Sequence, residues 1–316
     1  MSTQTTSGDN GFIKGFSRVM NRISGDRDAT WFYFNFQKMV RSPNVRKKLA
    51  RIEASFKANS DPDLFTEEIL DIAAELGRHG KTSPLSLISA EHVDEMYSYM
   101  AEKKWVDRQR KDIGEFALDG VPEDTQLAHL PLEDVLRAPH LLRLANDPSI
   151  LLAIEKQFGC KPSAEVIQAS WSPPSKKEAI RSQLFHRDTD GLQFIKLFIF
   201  LTDVTEDSGP HCFVLNSHDA NKLTKPGFFT EEQVIDSFGE ENITFISCPK
   251  GTHFLENTYG VHKGTQPKGH GRLMVQVLYC SHPTIYPPKK PVLSSDDLNA
   301  LGVEDLDRYV FRKFVQ

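Results

Sequence analysis

Apolar residues recur at the three- and four-residue spacing of an amphipathic helix through much of the first half of the chain. Phe12, Ile13, Phe16, Val19, Met20 and Ile23 form one such stripe, with Lys14, Arg18 and Arg22 largely on the other side. Segments 44–58 and 64–77 follow the same rule. The second uses Leu64, Ile69, Leu70, Ile72, Ala73 and Leu76, and Gly77 and Gly80 supply its stop. A further helix is predicted over 90–105, with Val93, Met96, Tyr97 and Met100 on one face. Two more are predicted over Leu132–Leu144 and Ile150–Phe158, the last closed by Gly159. After Pro162 the texture changes to short β-rich runs: Glu165–Trp171, Gln183–His186, Phe194–Leu201, Cys212–Leu215, Ile243–Ser247, His253–Glu256 and Leu273–Tyr279. Turn clusters such as Ser208-Gly209-Pro210 and Pro249-Lys250-Gly251 punctuate them. Helices first and short strands afterwards predict an α+β fold whose β part is a sandwich, barrel or jelly roll.

Composition narrows the function classes. The 316 residues are 39% hydrophobic and 26% charged, an ordinary globular balance. A formal net charge of -5 gives no general attraction to nucleic acid. No apolar run approaches the roughly 20 residues of a membrane span. The longest, Leu192–Leu201, is interrupted by Lys196. Residues 1–10 are small and polar, read as a disordered tail without a signal core, and a cytoplasmic location is expected. Cys160, Cys212, Cys248 and Cys280 are widely spaced and read as free thiols.

Phosphate-binding loops, dinucleotide fingerprints, G-x-S-x-G and H-E-x-x-H are all missing. What remains is histidine beside carboxylate. His-x-Asp occurs twice, as His92-Val93-Asp94 and His186-Arg187-Asp188. The first lies in a helical pattern, where positions i and i+2 point about 200° apart. The second follows a β-type run, where i and i+2 share a face, so imidazole and carboxylate converge. A site of two histidines and one carboxylate needs a second histidine, for which His211, His253, His262 and His270 are candidates. Arg272 follows His262 by ten residues and opens the last strand, and Lys263 stands at the same offset from His253, in a loop. Ferrous iron in such a site keeps three adjacent positions open. A 2-oxo acid takes two and dioxygen the third, and the far carboxylate needs a fixed cation, the role given to Arg272. Spacing alone leaves equally open a β-sandwich in which these residues satisfy ordinary hydrogen bonds.

Taken in order, His186-Arg187-Asp188, Leu201-Thr202-Asp203-Val204, Ser208-Gly209-Pro210-His211, Leu215-Asn216-Ser217-His218, His262-Lys263-Gly264 and Arg272 resemble the phytanoyl-CoA dioxygenase family. The resemblance runs from about residue 85 to 290 and is densest from 165 to 280. It implies an Fe(II)- and 2-oxoglutarate-dependent oxygenase on a double-stranded β-helix, the jelly-roll or cupin-like form, with a helical N-terminal region packed against it. It implies His186, Asp188 and His262 as metal ligands and Arg272 as the anchor of the distal carboxylate. Gln168, Phe198 and Lys196 would contact the cosubstrate, Lys196 sharing a face with Phe198 by strand alternation. Gln183 and Trp171 are candidates for substrate contact, and the stretches 172–182 and 221–240 for substrate recognition. The family's Pro-Gly-Ser-His turn is Leu215-Asn216-Ser217-His218 here, and its serine two residues after the second histidine is Gly264, with Thr265 next to it. Retention of Asp188 disfavours the halogenase branch, which gives up that carboxylate.

The expected organisation is a tail over 1–10, a helical extension over 11–84, an oxygenase-like domain over 85–290 with its jelly-roll core at about 163–282, and a C-terminal extension over 291–316. The expected reaction is hydroxylation of a C–H bond in a small or carrier-linked molecule, with dioxygen consumed and succinate and carbon dioxide released. No nucleic-acid partner is expected, and the oligomeric state is not legible. The alternative from another class is a non-catalytic jelly-roll binding module that docks through the basic N-terminal stripe.

Overall fold

The computed structural model describes residues 29–316. The predicted tail and the Phe12–Ile23 stripe lie outside the described residues. Helix α1 (Ala29–Gln37) and helix α2 (Pro43–Ala54) lead into α3 (Glu67–His79). The Thr66 hydroxyl accepts the Ile69 amide, Glu67 and Glu68 occupy the first turn, and Arg78 and His79 the last. Both ends therefore complement the helix dipole. Gly80 closes α3 at φ 84°, a conformation costly for any residue with a Cβ. Helix α4 (Ala90–Ala101) is shorter than predicted. The chain turns at Glu102 so that Trp105 enters strand β1 (Lys104–Val106), fully buried, its indole N–H donating to Met100 O at 3.1 Å. Strands β2 (Glu115–Ala117) and β3 (Ala128–His129) follow. The predicted single helix over 132–144 is two, α5 (Leu132–Leu136) and α6 (Leu141–Ala145). Pro139 has no amide to donate, and His140 sits at φ 62°, so the helix breaks between them. Helix α7 (Pro148–Phe158) starts at the Asp147 cap and stops at Gly159, φ 74°.

The β part is two facing sheets. Strands β4 (Ser163–Ser172), β5 (Phe194–Phe200), β8 (His253–Glu256) and β10 (Arg272–Cys280) join β1–β3 in a seven-stranded antiparallel sheet, order β2-β1-β3-β4-β10-β5-β8. Strands β6 (His211–Val214), β7 (Ile243–Ile246) and β9 (His262–Gly264) make a second sheet, order β7-β6-β9. Helix α8 (Glu231–Phe238) lies in the β6–β7 connection, and α9 (Ser295–Leu301) follows the last strand. This is the double-stranded β-helix with helices packed against it.

Alternation along the large sheet decides what each face does. Ile167, Ala169, Leu197, Ile199, Leu273, Val275 and Val277 face outward into one core with Leu76, Met96, Met100, Ile150 and Ile154 of the helices. Residues Val310, Phe311 and Phe314 from beyond residue 291 join the same cluster. The opposite face carries Gln168, Ser170, Lys196, Phe198, Met274 and Gln276 and lines a cavity between the sheets. No helix among the described residues is long and apolar enough to cross a membrane.

Candidate metal centre

The predicted strand over Gln183–His186 is instead a 3₁₀ turn, Arg181–Gln183, followed by an isolated bridge between His186 and His262. The two residues exchange backbone bonds, His186 N to His262 O and back, each 3.0 Å. This bridge brings residues 76 apart in sequence side by side. A third backbone bond, Asp188 N to Thr258 O at 3.0 Å, fixes the carboxylate beside them.

The side chains converge. His186 Nδ1 lies 2.7 Å from Leu184 O, and His262 Nδ1 lies 2.9 Å from Gly260 O. Each Nδ1–H is thus given to a carbonyl, which leaves each Nε2 with a free lone pair. His186 Nε2 is 3.5 Å from Asp188 Oδ1, and His262 Nε2 is 3.5 Å from Asp188 Oδ2. One donor atom from each of the three residues lies within 4.8 Å of the others. Burial, with His186 nearby, pushes the His262 imidazole well below its usual range. Burial lowers His186 too, but Asp188 more than offsets it and raises it. Burial alone would raise the Asp188 carboxyl; Lys196 and His262 outweigh that and hold it well below the usual carboxylate range. A neutral imidazole, an ionised carboxylate and a second imidazole suit a divalent cation.

The triad opens on a cavity of about 180 Å³. Arg272 lines the same cavity, 5% exposed. Its Nη1 donates to Gly209 O, its buried Nε–H has no partner, and no carboxylate among the described residues compensates it. Burial pulls its pKa from 12.5 to about 10, so it stays a cation at neutral pH. A Cβ at Gly264 would lie 3.3 Å from Arg272 Nη2, so the glycine leaves the guanidinium its space. Thr265 does not take the place of the family's serine, since its hydroxyl donates to Pro210 O at 2.7 Å.

Gln168, Phe198, Lys196 and Gln183 also line the cavity. Phe198 packs between His211 and Phe254, ring centroids 4.9 and 5.5 Å away. Gln183 is partly spent on structure, its Oε1 accepting the Ile180 amide at 2.9 Å. Lys196 lines the cavity as expected, and its ammonium is already engaged there by Asp188 Oδ2 at 2.6 Å and Asp190 Oδ2 at 3.3 Å. Trp171 is not at the site. It sits one residue out of step with Gln168, Ser170 and Ser172, so alternation turns it to the outer face, against the helical core and over Gly271. The second His-x-Asp stays apart: His92 stacks on His140 at 3.8 Å, and Asp94 pairs with Lys250.

Further polar residues line the cavity, among them Ser170, Gln276 and His129, and His211, one of the candidate histidines, lines it without joining the triad. Gln276 pairs across the sheet with Gln168, and stepping by two from Arg272 would have found it. His129 reaches the cavity from β3, a strand of two residues with no legible period. His211 bonds Glu256 at 3.0 Å, a partner 45 residues away that no local pattern announces. Both stretches proposed for substrate recognition reach the site: Ser182 lines the cavity, and Phe228 stands edge-on to His186 at 6.3 Å.

The motif is braced from outside. Arg187 donates to the carbonyls of Ser217, Lys222, Leu223 and Tyr259, tying the 217–223 turn to it. Asn216, immediately before that turn, adopts φ 61°, the left-handed geometry that asparagine tolerates. From the helical side, Gln37 Nε2 donates to Thr189 O at 2.6 Å, and Arg46 donates to Gly191 O.

No family model matches the chain. No curated protein matches it either. Among solved structures, the HygX structure from Streptomyces hygroscopicus with nickel, 2-oxoglutarate and hygromycin B bound is similar at 18% identity over 77% of this chain and 94% of that one, TM-score 0.46. The alpha-ketoglutarate-dependent carbocyclase SnoK from nogalamycin biosynthesis is similar at 18% identity over 66% and 82%, TM-score 0.47. The epimerase SnoN from the same biosynthesis gives 17% over 67% and 82%, TM-score 0.45. Likenesses this distant assign neither reaction nor substrate; the fold rests on the sheet order above.

Proposed function

We propose that the protein is an Fe(II)- and 2-oxoglutarate-dependent oxygenase, which hydroxylates a C–H bond of a small or carrier-linked molecule and releases succinate and carbon dioxide. The carrying observation is a pairing within one cavity: three convergent donors of the facial-triad kind, and a buried arginine with an unused N–H and no carboxylate partner among the described residues. An uncompensated buried guanidinium is costly, and an incoming carboxylate relieves that cost. The motif order of the phytanoyl-CoA dioxygenase resemblance supports the same reading.

In this reading His186, Asp188 and His262 hold iron, and Arg272 anchors the distal carboxylate of 2-oxoglutarate. Bound there, ferrous iron couples oxidative decarboxylation of 2-oxoglutarate to oxidation of a C–H bond. The chain's own part is positioning. The Leu184 and Gly260 carbonyls hold the imidazole rings in the tautomer that exposes Nε2. Gln168 and Gln276 offer amide groups to the ligands, and Phe198 keeps the cavity wall beside His211 apolar and dry. A volume of about 180 Å³ is below the roughly 300–1,000 Å³ of a drug-sized pocket, so a primary substrate rests at the mouth, against Ser182 and Phe228. The test is succinate formation from 2-oxoglutarate with Fe(II), in wild type and His186→Ala. Turnover in wild type and none in the variant is expected; equal turnover in both ends the proposal.

A further inference from the structure

Lys196 is a lysine with a strained choice of neighbours. Its side chain leaves β5 into the cavity wall and is 13% exposed. Its ammonium sits between two carboxylates, 2.6 Å from Asp188 Oδ2 and 3.3 Å from Asp190 Oδ2. Asp190 is itself fixed, its Oδ1 accepting the Tyr286 hydroxyl at 2.8 Å. The two oxygens of Asp188 are therefore not equivalent. Each oxygen faces one imidazole, Oδ1 at 3.5 Å from His186 Nε2 and Oδ2 at 3.5 Å from His262 Nε2, but Oδ2 alone also carries the ammonium among the described residues.

We propose that Lys196 is a positioning residue that occupies one oxygen of Asp188, so that a metal ion at His186, Asp188 and His262 receives a single carboxylate oxygen. This rests on the reading of that triad as an iron centre. A carboxylate can bind a divalent cation through one oxygen or two. Two would fill one of the three positions that a 2-oxo acid and dioxygen need. A charge-assisted hydrogen bond at 2.6 Å competes for the second oxygen, and Asp190 and Tyr286 keep the ammonium from swinging away. The competing explanation is plain neutralisation: a cation placed to separate two buried acids, with no influence on how Asp188 meets a metal.

Mn(II) alone is the probe, read by calorimetry and by water-proton relaxation, which scales with the number of waters on the ion. Wild type and Lys196→Met are compared, with Lys196→Leu read the same way if the methionine variant does not fold. The proposal expects the variant to bind Mn(II) within about threefold of wild type or more tightly, and its relaxation enhancement to fall by about one third, from three open positions to two. Lys196→Arg should keep the wild-type enhancement. Plain neutralisation changes affinity and leaves the enhancement unmoved, which would overturn the proposal. Loss of Mn(II) binding in the variant while wild type binds would also overturn it, because Lys196 would then be needed for binding itself. If wild-type protein binds no Mn(II), the iron-centre reading fails and carries the proposal with it.

Discussion

Replacing Arg272 by methionine should make the protein more stable and blind to 2-oxoglutarate at the same time. The guanidinium is 5% exposed and has no carboxylate partner among the described residues. Its fall from 12.5 to about 10 corresponds to about 3 kcal/mol of burial cost for the charged form, an order-of-magnitude figure. Methionine fills the space flexibly and carries no charge. The variant gives up the bond to Gly209 O, about 1 kcal/mol. The net expectation is a gain of about 1–2 kcal/mol in urea denaturation of metal-free protein. Cosubstrate binding should move the other way: a hydrogen bond between charged groups contributes about 1.5–3 kcal/mol, so the half-saturating 2-oxoglutarate concentration should rise about ten- to hundredfold. Thermal shift with Mn(II) and 2-oxoglutarate reads this directly, because a ligand that binds only the native state raises the melting temperature. A variant less stable than wild type by 1 kcal/mol or more would show that Arg272 is a structural residue. An undiminished 2-oxoglutarate shift would remove it from the cosubstrate site.

Other outcomes follow from particular contacts. Gly271→Ala places a Cβ 2.2 Å from the Trp171 ring and should cost about 1–3 kcal/mol in urea denaturation; no loss would mean that Trp171 does not lie over Gly271. Burial, helped by Lys57 and Arg46, lowers the pKa of His282 from 6.5 to about 3. The unfolded chain therefore binds this proton first as pH falls, so stability is full above about pH 6.5 and drops by about 1.4 kcal/mol per pH unit from there toward pH 3. His282→Gln should flatten the difference between urea midpoints measured at pH 7 and pH 5, and an unchanged slope would refute a buried neutral imidazole. Asp147→Ala removes the cap that accepts Ser149 N at 2.8 Å and should lower stability by about 1 kcal/mol, read by thermal unfolding.

The parts that could be read ahead of the structure are those where a short-range period carries the information. Strand alternation put Lys196 and Phe198 on one face of β5, whereas His186 and Asp188 converge through an isolated bridge and a backbone bond rather than through the strand expected there. The apolar spacing found α3, and Gly80 stops it as read, although the helix runs through Gly77 and starts three residues later than its apolar stripe, at the Thr66 cap. The parts that could not be read depend on what crosses from elsewhere. Helix α1 is crowded with Trp31, Phe32, Tyr33, Phe34 and Phe36 and shows no polar face to reveal it. Lys196 was legible as a cavity residue, but its partners come from the 188–190 loop, whose path no periodicity describes. Trp171 lies one step out of phase with Gln168 along β4, so alternation turns it away from the cavity that Gln168 lines.

Gln37 and Arg46 grip the carbonyls on either side of Asp190, and both belong to helices that precede every recognisable motif. A trimmed protein beginning near residue 85 would keep all the chemistry-bearing side chains and lose the outer clasp of the loop that presents two of them. Searches for a minimal working version should start upstream of Gln37.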